Sequence, residues 1–300
     1  MIRIAYHPIY KHPLPLGHRF PMQKYELLHR QLLHEGTCEP EQFFAPGQPD
    51  LKAIEAVHDP QYVNDLLNQN IEARAARKVG FPMSEKLIER EFTIAQGTLE
   101  ATAYALQHGC ALNIAGGTHH AFKASGEAFC LLNDQAIAAR NLISTQKAKQ
   151  ILIIDLDVHQ GNGTAEIFDG DDTVFTFSMH GAHNYPFRKE KSDLDIGLPN
   201  GTKDQEYLEV LAFHLPRLLD KVKPDFIFYL SGVDILATDK LGKLSCTMEG
   251  CKTRDRMVLD ACYQREIPVQ ISMGGGYSPD IKIILEAHAN TYRLAHQLWN

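Results

Sequence analysis

The sequence predicts an α/β protein with a mainly parallel sheet in one domain. Two observations carry this. Short apolar runs alternate with helix-like stretches along the chain. Several runs are apolar at nearly every position, as strands are when both faces of a sheet are covered. No internal repeat, low-complexity tract or Pro/Gly/Ser-rich linker divides the sequence, so the domain is expected to span residues 1–300.

The strand candidates are Ile2–Ala5, Ala111–Ala115, Ile151–Leu156, Thr173–Phe177, Phe226–Leu230 and Val269–Ser272. Between them lie helix candidates at Gln23–Leu33, Ser84–His108, Leu132–Ser144, Asp204–Asp220, Thr247–Arg265 and Pro279–Leu298. The first of these carries Tyr25, Leu27, Leu28, Leu32 and Leu33 at roughly helical spacing.

Composition narrows the function classes. With 44% apolar and 22% charged residues, whole-chain disorder, collagen and coiled coil are excluded. Thirty basic against 37 acidic residues leave a net charge of −7. That argues against a dedicated nucleic-acid binder, which needs a basic face, and gives no attraction to an anionic membrane. No apolar run approaches the ~20 residues of a membrane span. The six cysteines are scattered and form no C-x-x-C pair, which fits free thiols in a reducing compartment. Met1-Ile-Arg-Ile-Ala-Tyr-His7 has no long apolar stretch of a signal peptide. The expected location is cytoplasmic.

Nearly every apolar run leads straight into chemically loaded residues. Ile2–Ala5 precedes Tyr6-His7, and Ala111–Ala115 precedes Gly116-Gly-Thr-His-His120. Ile151–Ile154 precedes Asp155-Leu-Asp-Val-His159, and Thr173–Phe177 precedes Ser178-Met-His180. Phe226–Leu230 precedes Ser231-Gly-Val-Asp234, and Val269–Ser272 precedes Met273-Gly-Gly-Gly-Tyr277. Ligands of open parallel sheets bind outside the carboxyl ends of the strands, so these residues are expected to form one site.

Asp157 and His159 are two apart and would share a face if the strand continued through them. With Asp234 they offer two carboxylates and an imidazole, a set suited to a divalent metal with positions left open. Taken alone, Asp-x-His reads equally as a helix cap beside a buried histidine. His119-His120 reads as metal ligands, as an acid/base pair or as a chance surface pair; the preceding glycines permit close approach to a ligand. Asp155 is placed to orient a histidine. Gly274-Gly-Gly-Tyr277 is either a tight turn or the frame of a pocket with a phenol that donates to an oxyanion.

GGTHHA, FCLLND, DLDVHQGNGT, SMH, SGVD and MGGGY, in this order, resemble the zinc-dependent histone deacetylase superfamily, which includes acetylpolyamine amidohydrolases and acetoin-utilisation proteins. DVHQGNGT, GHRFPM and SGVDIL followed by DKLG look most like its class IV branch. The resemblance implies an arginase-like sheet of about eight strands and hydrolysis of an acyl amide, most simply that of an acylated lysine. A deacylase of small molecules such as acetylpolyamines is the alternative. It implies Zn²⁺, with Fe²⁺ as rival, on Asp157, His159 and Asp234, and His119, His120 and Tyr277 as catalytic residues. Asp155 would support His119, and Asn162 would support His120. Phe129, Tyr185, Pro186 and Gly275 would border the substrate channel. K⁺ would take the Asp155 carboxylate, the carbonyls of Asp157, His159 and Met179, and the Ser178 hydroxyl. The branch also implies that long-chain acyl-lysine is cleaved alongside acetyl-lysine.

Two departures stand out. Gln160-Gly-Asn162-Gly replaces the HHGDG of many relatives, and an amide stabilises an imidazolium less well than a carboxylate. Ala128 replaces a glycine before the channel phenylalanine.

Overall fold

The computed structural model describes all 300 residues. Eight strands form one parallel sheet: β1 (Arg3–Ala5), β2 (Phe43–Phe44), β3 (Cys110–Asn113), β4 (Ile151–Asp155), β5 (Val174–Gly181), β6 (Leu194–Leu198), β7 (Phe226–Leu230) and β8 (Val269–Ser272). Their order is β2-β1-β3-β8-β7-β4-β5-β6. The four strands β3, β8, β7 and β4 are buried along their whole length, which explains their unbroken apolar runs.

Helices cover both faces: α1 (Lys24–His34), α2 (Leu51–Glu55), α3 (Pro60–Leu67), α4 (Ala73–Val79), α5 (Glu85–His108), α6 (Asp134–Ser144), α7 (Asn162–Ile167), α8 (Asp204–Val222), α9 (Met248–Gln264) and α10 (Ile281–Trp299). Local chemistry sets several of their boundaries. Ser84 Oγ accepts from Leu87 N to start α5, which stops at Gly109, where φ is +83°. Asn133, Thr247 and Asp280 cap α6, α9 and α10 in the same way.

The sequence-derived elements fall on these within a few residues, and two strands, β2 and β6, and four short helices, α2, α3, α4 and α7, are added. β2 is only two residues long, and β6 carries Asp195 and Gly197 and is largely half-exposed. Both are edge strands, where one-sided burial leaves no continuous apolar run.

Register explains why the site lies where it does. Asn113 pairs with Ser272, Ser272 with Leu230, Leu230 with Asp155, and Asp155 with Ser178. Five strands thus reach one row, from which the loops 114–120, 156–161, 231–234 and 273–277 emerge side by side.

Candidate active site

Asp157, His159 and Asp234 bring their donor atoms within 4.8 Å of one another, and all three are buried. His159 Nδ1 lies 3.0 Å from Asp157 Oδ1 and 3.1 Å from Asp234 Oδ2. Burial, and then the Asp157 carboxylate, push Asp234 up to about 7. Burial opposes protonation of His159, but its hydrogen bonds to Asp157 and Asp234 outweigh it and hold the imidazole at about 10. Such a set holds protons where a cation would neutralise it better, and its donors fit a divalent ion.

Gly275 is shaped to this cluster. Its N–H donates to Asp157 Oδ2 at 2.8 Å. A Cβ here would stand 2.0 Å from Asp234 Oδ2 and 2.8 Å from Asp157 Oδ2, so only glycine lets the turn pass.

The tandem histidines face the same cavity as Asp157 and His159, with ring centroids 4.1 Å apart. His119 Nδ1 lies 2.7 Å from Asp155 Oδ2, and His120 Nδ1 lies 2.6 Å from Asn162 Oδ1. These partners set the two rings apart. Burial disfavours charge on His119, but Asp155 and Asp157 outweigh it and raise its pKa. Burial, followed by the charges of His119 and His159, holds His120 well below the usual imidazole value. Tyr277 shares the cavity, and burial followed by Asp157 and Asp234 keeps its phenol protonated as a donor.

The cavity measures about 40 Å³ and is lined by His119, His120, Asp157, His159, Tyr277 and the Phe129 ring, among others. Outside it a mouth of about 260 Å³ is bordered by Phe129, Tyr185 and Tyr277. Tyr185 stands edge-on to His120 at 5.0 Å. Pro186, joined to Tyr185 by a cis peptide, is buried and does not line the mouth. Ala128 and Phe129 hold φ of +46° and +69°, pinned by N–H bonds to the carbonyls of Lys78 and Val79 at 2.9 and 2.7 Å. The left-handed turn explains why glycine suits position 128, and the Ala128 methyl lines both cavity and mouth.

The residues expected around K⁺ also gather. Asp155 and Ser178 are register partners on β4 and β5, Met179 follows Ser178, and the carbonyls of Asp157 and His159 accept no hydrogen bond. Ser178 Oγ lies 2.9 Å from His180 Nδ1. Unpartnered carbonyls beside a carboxylate fit a hard cation.

Sequence reasoning missed four supporting residues. Fully buried Lys24 donates to Gly274 O at 2.9 Å, and burial lowers its pKa to about 8 against the pull of Asp234 and Asp157. Its helical spacing with Leu28 and Leu32 was the available signal. Asp239, in the DKLG stretch, accepts from Tyr277 N at 2.6 Å. Arg254 on α9 donates to Leu156 O at 3.1 Å and Gly232 O at 2.6 Å, tying the loops that carry Asp157 and Asp234. Glu127 accepts from Asn162 Nδ2 at 2.7 Å, and nothing in its local sequence marks it.

A histone deacetylase domain matches residues 18–291. An uncharacterized protein of Picosynechococcus is 47% identical over 99% of both chains. Histone deacetylase 2 of Arabidopsis thaliana is 27% identical over 92% of this chain and 74% of its own. The acetoin utilization protein AcuC of Staphylococcus aureus is 30% identical over 77% of this chain and 65% of its own. Among solved structures, an acetylpolyamine aminohydrolase from Burkholderia pseudomallei has a TM-score of 0.80 at 23% identity, covering 97% of each chain. An HDAC homolog from Aquifex aeolicus has a TM-score of 0.81 at 22% identity, covering 97% of this chain and 82% of that one. At these identities the structural likeness speaks for the fold alone. No helix is long and apolar enough to cross a membrane.

Proposed function

Since the chain belongs to the histone deacetylase family, and is with it an amide-cleaving hydrolase, we propose that it removes an acyl group, chiefly acetyl, from the ε-amine of lysine. The observation that carries this reading is the single small cavity shared by Asp157, His159, His119, His120 and Tyr277.

A divalent ion, Zn²⁺ or Fe²⁺, on Asp157, His159 and Asp234 would polarise the acyl carbonyl and acidify water. The chain's own groups divide the remaining work. His120 Nε2 takes the proton of the attacking water and later protonates the leaving amine. A neutral His120 suits the first task, because its Nδ1–H is committed to Asn162 and Nε2 is left as the acceptor. His119, paired to Asp155, supplies positive charge beside the developing oxyanion. The Tyr277 phenol donates to that oxygen, with the turn behind it held by Lys24 and Asp239. K⁺ on the Asp155 and Ser178 side would brace the loop that carries Asp157 and His159.

The cavity supports acetyl over longer chains. At about 40 Å³ the space beside Asp157 and His159 is small, which suits a short acyl group such as acetyl. Long-chain cleavage rests on the class IV motifs DVHQGNGT and SGVDIL alone, as does placement in that branch. The mouth favours a peptide over acetylpolyamines, because its lining carries Arg19, Lys78 and Lys243, and the Glu127 carboxylate beside Tyr185 is tied to the Asn162 amide. Metal-loaded protein assayed on acetyl-lysine peptide, myristoyl-lysine peptide and acetylspermidine tests the reading. The acetyl peptide is expected to give the highest kcat/KM, and a preference for acetylspermidine would overturn it.

A further inference from the structure

The rim of the channel runs against the charge of the chain. The protein carries −7 overall, yet the mouth is lined by Arg19, Lys78, His183 and Lys243 and by no acid. These side chains come from four separate segments and are all exposed. Arg19, Lys78 and Lys243 take part in no ion pair. Glu127, the acid beside the channel residue Tyr185, is engaged by the Asn162 amide and by the Tyr185 phenol, and stands alone against the three cations.

Three of the four positions are held at the entrance by contacts. The Arg19 guanidinium lies over the Phe129 ring, 5.0 Å from its centroid. Lys78 lends its carbonyl to Ala128 N at 2.9 Å, so its side chain leaves from the backbone that shapes the channel wall. Lys243 Nζ donates to His183 O at 2.8 Å, which joins two loops across the rim. A lysine that extends its acylated side chain to the cavity lays its own backbone over this ring. The residues on either side of it then meet several cations at once.

We propose that the channel selects acyl-lysines flanked by acidic residues, so that the substrate is an anionic polypeptide segment read by Arg19, Lys78 and Lys243. The inference rests on the lysine deacylase reading above and adds the class of sequence around the target lysine. It separates this mouth from one that would favour a basic tail, since like charges at close range oppose association. Each exposed pair contributes little alone, but two or three acting together give about a tenfold effect. At high salt the field shrinks to about 3 Å at 1 M and the selectivity fades.

The test uses metal-loaded full-length protein and three peptides that share a central acetyl-lysine, with Glu, Gln or Lys at the two positions on each side. At low salt kcat/KM should fall in the order Glu, Gln, Lys, with about tenfold between the extremes, carried mainly by KM. In 1 M NaCl the three values should converge. In Lys78→Glu/Lys243→Glu protein the order should invert; because this is a ratio within one preparation, it does not depend on how much of the variant folds. Equal kcat/KM for all three peptides at low salt, or a preference for the Lys peptide, overturns the inference and leaves the deacylase reading intact. Absence of turnover on every acyl-lysine peptide, with acetylspermidine cleaved, overturns the lysine reading and this inference with it.

Discussion

Glu127 accepts a 2.7 Å hydrogen bond from the side-chain amide of Asn162. The oxygen of that amide faces His120 Nδ1 at 2.6 Å. An anion on the NH₂ side draws electron density toward the amide oxygen and strengthens it as an acceptor, since linked hydrogen bonds polarise one another. The chain therefore offsets, through Glu127, part of what it loses by carrying Asn162 in place of a carboxylate.

Glu127→Ala should lower kcat about tenfold with little change in KM or metal content, on the order of 1.4 kcal/mol for a charge acting through one intervening amide. Asn162→Asp alone should also be impaired, because it sets two carboxylates against each other. Asn162→Asp with Glu127→Gln should recover most of the activity, since Gln can donate to the new carboxylate. Additive losses in the double variant would show that the three side chains do not act as a chain.

His120→Ala should cost about 10²–10⁴ in kcat, the range for a general acid/base. His119→Ala should cost less, because its partner Asp155 commits it to an oriented, electrostatic role. Steady-state kinetics on one peptide decides the order. Equal losses, or the reverse, would reassign the proton transfers and leave the reaction class standing.

Tyr277→Phe should keep the fold and bound metal and lose about 10²–10³ in turnover, the cost of one oxyanion donor. Near-normal kcat with full metal occupancy would remove the phenol from the reaction.

Much of this was legible in the sequence because the fold concentrates chemistry at strand ends. The runs Ile151–Leu156, Phe226–Leu230 and Val269–Ser272 could be read as buried strands, and a parallel register carries their loops to one edge. What stayed illegible were interactions set by tertiary approach. Glu127 reaches Asn162 across 35 residues of sequence, and Arg254 reaches Leu156 across 98. No local pattern encodes such meetings. The exposed rim was equally hidden, since Arg19, Lys78 and Lys243 are unremarkable until the loops are placed.

Stability should fall on mild acidification through His58, a histidine outside the site. Its Nδ1 faces Phe122 O at 3.0 Å, while Asn133 N donates to its Nε2 at 2.9 Å, so the ring is held neutral. Burial lowers its pKa from 6.5 to about 4. Between those values the unfolded chain binds the extra proton, so this contribution is intact above about pH 6.5 and lost as the pH falls through 4. The loss approaches about 3 kcal/mol. Urea titrations of wild type and His58→Gln should show the variant less stable at pH 7, with the gap closing toward pH 4. Parallel curves would remove His58 as the titrating group.

The most direct test of the account is turnover of one acetyl-lysine peptide by chelator-stripped protein as Zn²⁺ or Fe²⁺ is restored, for wild type beside Asp234→Ala. We predict no turnover in the stripped protein, a rise that saturates near one equivalent of metal in the wild type, and no such rise in the variant. Undiminished turnover without metal, or a normal metal response in Asp234→Ala, would contradict a reaction centred on Asp157, His159 and Asp234.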